Sequence, residues 1–110
     1  MSTIQYNKLV RDRIPAIIEA NGKRCVCSIL SDEEYLAKLD EKLNEELAEY
    51  QESKSMEELA DLLEVIRAVA VARGSSIEEV EAIRRDKDAK RGGFEKKILL
   101  TEVEYDNSLE

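Results

Sequence analysis

The chain has 110 residues, 43% hydrophobic and 38% charged, and its 17 Lys and Arg against 25 Asp and Glu give a formal net charge of −8 with no histidine. This defines one small domain, residues 1–110, which buries only about two-thirds of its unfolded surface and so needs efficient helix packing, an oligomer, or both. Without histidine, Ser-His and Cys-His catalysis, imidazole zinc sites and imidazole general bases are excluded, which leaves chemistry to carboxylates, Lys, Arg, Tyr or a metal.

Residues 1–13 mix polar and charged side chains with no signal-like apolar core, and no segment approaches the roughly 20 uninterrupted apolar residues of a membrane span. A cytoplasmic protein with no membrane partner is expected. Ile14, Ile17 and Ile18 then recur at helix spacing, with Pro15 in the first turn and Asn21-Gly22 as a stop, which predicts a short helix. Residues 23–30 alternate and are rich in Val, Ile and Cys, so they read as a strand. Cys25 and Cys27 are too close and too few for a disulfide framework or a thiolate zinc site, and they suit one face of a packed strand in a reducing compartment.

Ser31 with Glu34 has the spacing of a capping box and opens a long amphipathic helix over Asp32–Ser53, with Leu36, Leu39, Leu43, Leu47 and Tyr50 on its apolar face. A short turn at 53–55 follows, and Ser55 with Glu58 repeats the capping-box spacing before a second long helix that runs to Gly74. So short a connection makes the pair an antiparallel hairpin. Ser76 with Glu79 opens a further helix that ends near Arg91-Gly92-Gly93, and residues 98–103 form a second strand-like run. The expected fold is all-α, an antiparallel helical bundle with minor short strands.

The helix after Ser55 carries apolar residues in almost every sector, and a helix apolar all round is buried on all sides. Three other helices in 110 residues can hardly enclose it. A homodimer or homotetramer with this helix at the centre is expected. The net charge of −8 repels nucleic acid polymers, whereas a small anionic substrate remains compatible if a basic patch or a bound cation receives it.

Glu58 and Asp61 share a sector of that apolar helix, spaced i, i+3, where burial penalises an unpaired carboxylate. The preceding helix carries Glu45, Glu46 and Glu49, and Glu46 and Glu49 are also i, i+3. The two pairs lie at equal distances from the turn, so an antiparallel hairpin sets them face to face. Four converging carboxylates repel in a low-dielectric site, and a hard divalent cation, Mg²⁺ or Mn²⁺ rather than Zn²⁺, holds such oxygens together. Asp61 is expected to be the most buried of the four. The alternative is an ordinary solvated Glu-rich face, to which Glu45, Glu52, Glu57 and Glu64 are readily assigned.

The run Lys42-Leu43-Asn44-Glu45-Glu46-Leu47-Ala48-Glu49, followed by Glu58-Leu59-Ala60-Asp61-Leu62-Leu63-Glu64-Val65, resembles the E-E-x-x-E and E-x-x-D motifs of the all-α, MazG-like nucleoside triphosphate pyrophosphohydrolases. The opening Tyr6-Asn7-Lys8-Leu9-Val10-Arg11-Asp12-Arg13-Ile14-Pro15 and the late Lys87-Asp88-Ala89-Lys90-Arg91-Gly92-Gly93-Phe94 resemble the phosphoribosyl-ATP-pyrophosphohydrolase-like branch of that group. The resemblance implies that Glu46, Glu49, Glu58 and Asp61 bind Mg²⁺. It also implies hydrolysis of a nucleoside triphosphate at the α–β linkage to a monophosphate and pyrophosphate, in a house-cleaning role. Any of the acids, Glu45 included, is then open to the role of orienting or deprotonating water.

The basic residues gather at Lys8, Arg11 and Arg13 and again at Arg84, Arg85, Lys87, Lys90 and Arg91. Lys87 and Arg91, i, i+4 on one face, suit a phosphate grip beside the two glycines, or simply a basic helix C-terminus. Lys8 and Arg11 are the other substrate-binding candidates, with an Arg11-Asp12 ion pair as the structural alternative. A reading of a different class, a non-catalytic helical oligomerisation or regulatory module with a metal-stabilised acidic cluster, stands beside the enzyme.

Overall fold

The computed structural model describes residues 2–106. Four helices follow in chain order, α1 (Ile14–Ala20), α2 (Asp32–Ser53), α3 (Met56–Ala72) and α4 (Ile77–Arg91), and no strand forms among the described residues. The fold is all-α, as the spacing of apolar residues requires. No helix among the described residues is long and apolar enough to cross a membrane.

The starts of α2, α3 and α4 are set by serines. Ser31 Oγ accepts from the Glu34 backbone N–H at 3.2 Å while the Glu34 carboxylate accepts from the Ser31 N–H at 3.2 Å, a reciprocal capping box at the start of α2. Asp32, Glu33 and Glu34 in its first turn add a favourable interaction with the helix dipole. At the other end Lys54 adopts the left-handed conformation, φ 58°, and donates its N–H to Tyr50 O at 2.7 Å. A non-glycine residue there costs about 1 kcal/mol, and the reversal it produces is immediate. Ser55 follows in extended conformation and caps α3, its Oγ accepting from the Glu58 N–H at 3.3 Å. The result is a two-residue reversal between helices of 22 and 17 residues, which therefore lie antiparallel.

Packing is concentrated on that hairpin. α2 lies along α3, α4 touches α3 but not α2, and α1 packs on none of the other helices. The buried apolar side chains among the described residues are Leu39 of α2 and Val65 and Ala70 of α3; the one buried charged residue there is Glu46. The molecule is elongated, 74 × 31 × 25 Å, with a radius of gyration of 20.3 Å. A compact domain of this length has a radius of about 13 Å.

Both predicted strands are corrected by the structure. Residues 23–30 and 98–103 run without regular structure, with Val26 and Ile29 fully exposed and Ile98, Leu99 and Leu100 largely so. Alternation signals only that one face of a segment is apolar, whereas a strand also needs a neighbour to take its N–H and C=O groups, and neither segment lies against one. The cysteine face is accordingly unpacked. Cys25 and Cys27 do point the same way, Sγ to Sγ 3.9 Å, but Cys27 is exposed. The helix expected to reach Gly74 stops at Ala72, where Arg73 closes it and Gly74 turns with φ 85°.

Ser55 is the hinge of this arrangement. Ser55→Ala is expected to lower the free energy of unfolding by about 1 kcal/mol, read as a lower urea midpoint at unchanged slope. An unchanged midpoint would mean that the α3 cap does not hold the turn.

Candidate metal centre

The hairpin brings the predicted acids together. Carboxylate oxygens of Glu45, Glu46 and Glu49 lie within 4.8 Å of one another, and so do those of Glu46, Glu58 and Asp61. Glu46 belongs to both groups and joins the α2 acids to the α3 acids. At this separation each pair of like charges repels by roughly 3 kcal/mol at an effective dielectric constant of about 20.

The expectation that Asp61 is the most buried acid is wrong. Glu46 is 5% exposed, whereas the Asp61 side chain is 42% exposed. Asp61 has apolar neighbours along α3, but burial is decided by what lies between two helices, and Glu46 sits in the α2–α3 seam. Its Oε1 lies 3.3 Å from Lys42 Nζ, and its Oε2 is buried with no hydrogen-bond partner. Such a group carries its full desolvation penalty, about 1–3 kcal/mol or more when charged.

Glu58 is the second anomaly. It occupies the third position of α3, as Glu34 does in α2, yet its carboxylate does not turn back to the capping serine. Its Oε2 is instead buried without a partner, beside Glu46 and Asp61. The capping-box reading of Ser55 and Glu58 thus holds for the backbone bond alone. In α4 the equivalent Glu79 bonds the Ser75 hydroxyl, so of the three glutamates at this position only Glu58 is withheld from its helix start.

The electrostatics follow from these positions. Burial pushes the Glu46 carboxyl above the usual carboxylate range, opposed by Lys42 and reinforced by the charges of Glu49 and Asp61. Glu58 is raised by burial and then by Glu49. Glu45 goes the other way: burial alone would raise it, but its bonds to Lys8 and Lys42 bring it below the ordinary value.

Three cations border the cluster. Lys8 Nζ donates to Glu45 Oε1 at 2.8 Å, and Arg11 donates to Asp61 Oδ1 at 2.7 Å, so the N-terminal segment reaches both helices of the hairpin. Arg11 is thereby paired with Asp61 rather than with its neighbour Asp12. Lys42, 3.3 Å from both Glu45 and Glu46, was not among the expected residues, although its i, i+3 and i, i+4 spacing to them is legible in the sequence. Lys87 and Arg91 are exposed on α4, which packs on α3 and not on α2, and no hydrogen bond or ion pair joins either of them to the acids of the cluster. Their neighbours on α4 are engaged along the helix, Arg84 and Arg85 with Glu81 and Lys90 with Asp86.

A hard divalent cation fits this donor set. All the ligands are carboxylate oxygens, two of those oxygens are buried and unpartnered, and the acids outnumber the adjacent cations.

No family model matches the chain. A stretch of 42 residues, 38% of the chain, is 60% identical to an uncharacterized protein of Mycolicibacterium smegmatis (strain ATCC 700084 / mc(2)155), and it spans 43% of that relative's length. No solved structure matches.

The raised Glu46 carboxyl makes a pH prediction with a definite sign. As pH rises above the unfolded value of 4.5, the unfolded chain loses this proton first, so the metal-free fold loses stability until the folded carboxyl has also ionised. Glu46→Gln removes that term. Its advantage over wild type in metal-free urea unfolding is therefore expected to grow from pH 4.5 upward and to shrink when Mg²⁺ is added. A difference independent of pH would contradict the burial of an unpaired carboxyl at this position.

Proposed function

We propose that the protein is a Mg²⁺-dependent nucleoside triphosphate pyrophosphohydrolase of the MazG-like kind. In this reading it adds one water across the α–β linkage of a nucleoside triphosphate and releases a nucleoside monophosphate and pyrophosphate. The observation that carries the reading is that Glu46 and Glu58, carboxylates of one cluster on antiparallel helices, each hold a buried oxygen with no partner. The motif order described above supports it, and so does the oxygen-only donor set.

Glu46, Glu49, Glu58 and Asp61 would hold the ion, Mg²⁺ or alternatively Mn²⁺. When bound, it neutralises phosphate charge and lowers the pKa of a coordinated water. Glu45, kept ionised by Lys8 and Lys42, is an acceptor that orients the attacking water. Lys8 and Arg11 stand at the edge of the acids, where their ammonium and guanidinium groups meet the negative phosphate chain as it arrives. Lys87 and Arg91 are the remaining substrate-binding candidates. The role is cytoplasmic house-cleaning, removal of unwanted nucleotides.

Pyrophosphate release from a panel of natural and damaged NTPs and dNTPs, with and without Mg²⁺, tests the reading. Wild type is expected to turn over at least one of them. Asp61→Asn should lower that turnover at least ~100-fold, because a neutral amide gives less charge to the cation. Its metal-free melting should stay within about 0.5 kcal/mol of wild type, since the Arg11–Asp61 bridge is a surface pair. No release from any substrate would overturn the enzyme in favour of a metal-stabilised helical module. Destabilisation of Asp61→Asn by several kcal/mol, independent of Mg²⁺, would count against the metal centre itself.

A further inference from the structure

The N-terminal segment is fastened to the two helices of the hairpin by different means. On the α2 side Lys8 bonds Glu45 at 2.8 Å, and the half-buried Leu9 beside it lines a small cavity with Lys38 and Lys42. On the α3 side Arg11 bonds Asp61 at 2.7 Å. The helix that follows, α1, packs on none of the others and adds no hold of its own.

The two acids also differ in what a cation would ask of them. Glu45 is not one of the four proposed ligands, and Lys8 and Lys42 both bond it. Asp61 is a proposed ligand, grouped with Glu46 and Glu58, and the Arg11 guanidinium is already on its Oδ1. A carboxylate shared between that guanidinium and a divalent ion would bring the two cations within about 5 Å of each other, too close for salt to screen their repulsion. The Arg11 side chain is 58% exposed, so its bond to Asp61 is a surface pair of the weak kind and is the contact that yields.

We infer that Arg11 is a resident cation of the metal centre, bound to Asp61 in the metal-free protein and released when Asp61 takes a divalent ion, while Lys8 stays on Glu45 as the pivot. The inference rests on the proposed metal centre and adds an order of events to it. The guanidinium becomes free to meet a phosphate chain only once the ion is in place, so the nucleotide follows the metal. Linkage is reciprocal: an ion that weakens the Arg11–Asp61 pair is itself held less tightly because of that pair. Removing Arg11 therefore tightens the ion.

Two readouts test this. The first is Mn²⁺ affinity by electron paramagnetic resonance at constant ionic strength, on wild type, Arg11→Gln and Arg13→Gln. Arg13, exposed and two residues on, is the control that removes the same charge. Arg11→Gln is expected to bind Mn²⁺ roughly 2- to 5-fold more tightly than wild type, the range that an exposed ion pair is worth, and Arg13→Gln to match wild type. The second readout needs no variant to bind the ion. In wild type, the Arg11 side-chain N–H resonance, identified by its loss in Arg11→Gln, is expected to move to the position of a free arginine as Mg²⁺ saturates the protein. An affinity in Arg11→Gln no higher than in wild type, an equal gain in Arg13→Gln, or an Arg11 resonance that saturating Mg²⁺ leaves in place would overturn the exchange and leave the metal centre standing. No bound Mn²⁺ in any of the three proteins would overturn the metal centre, and the exchange with it.

Discussion

The α2–α3 seam encloses a carboxylate where a helical hairpin ordinarily places a leucine. Glu46 is as buried as the apolar residues Leu39, Val65 and Ala70, and one of its oxygens has no partner. Burying that group opposes folding, and setting Glu49, Glu58 and Asp61 around it adds repulsion. The antiparallel pairing that supplies most of this chain's packing is therefore the same pairing that concentrates its negative charge. Lys42, Lys8 and Arg11 relieve part of that charge, but each bonds an outer oxygen and leaves the inner ones of Glu46 and Glu58 unmet.

The turn converts this tension into a defined geometry. Lys54 in the left-handed region and Ser55 as a cap reverse the chain within two residues, so the distance of each acid from the turn fixes which acids meet. Glu58 is held by its own backbone N–H in the Ser55 cap, while its carboxylate is directed into the seam. On the proposed reading, the fold is prepared for a cation at the one point where its own side chains fail to satisfy one another. The N-terminal segment is tied to that point by two ion pairs and so senses the same charge.

Much of the fold and of the site was legible in the sequence, for reasons that can be named. The helices were readable because their starts carry Ser31, Ser55 and Ser76 and their apolar residues keep a helical period; α2 has the predicted bounds. The meeting of Glu46 and Glu49 with Glu58 and Asp61 was readable because a short turn makes register a matter of counting. Burial was not. Asp61 looked enclosed from α3 alone, yet it faces Arg11 at the surface, and Glu46 is enclosed because of a helix that the periodicity of α2 does not describe. The strands failed for a related reason, since the alternation at 23–30 and 98–103 is local and a strand's partner is not. For Lys87 and Arg91 the i, i+4 spacing places them on one face of α4 but says nothing of which helix α4 packs on, which is α3 and not α2.

On the proposed reading, the unpartnered oxygens of Glu46 and Glu58 are ligands for a hard divalent cation. Anomalous diffraction from crystals grown with Mn²⁺ tests this most directly, because it locates the ion without reference to any activity. An anomalous peak is expected within coordinating distance, about 2.0–2.3 Å, of oxygens from both α2 and α3, with Glu46 among them. Density at the cluster without an anomalous peak, with Glu46 still held only by Lys42, would contradict it.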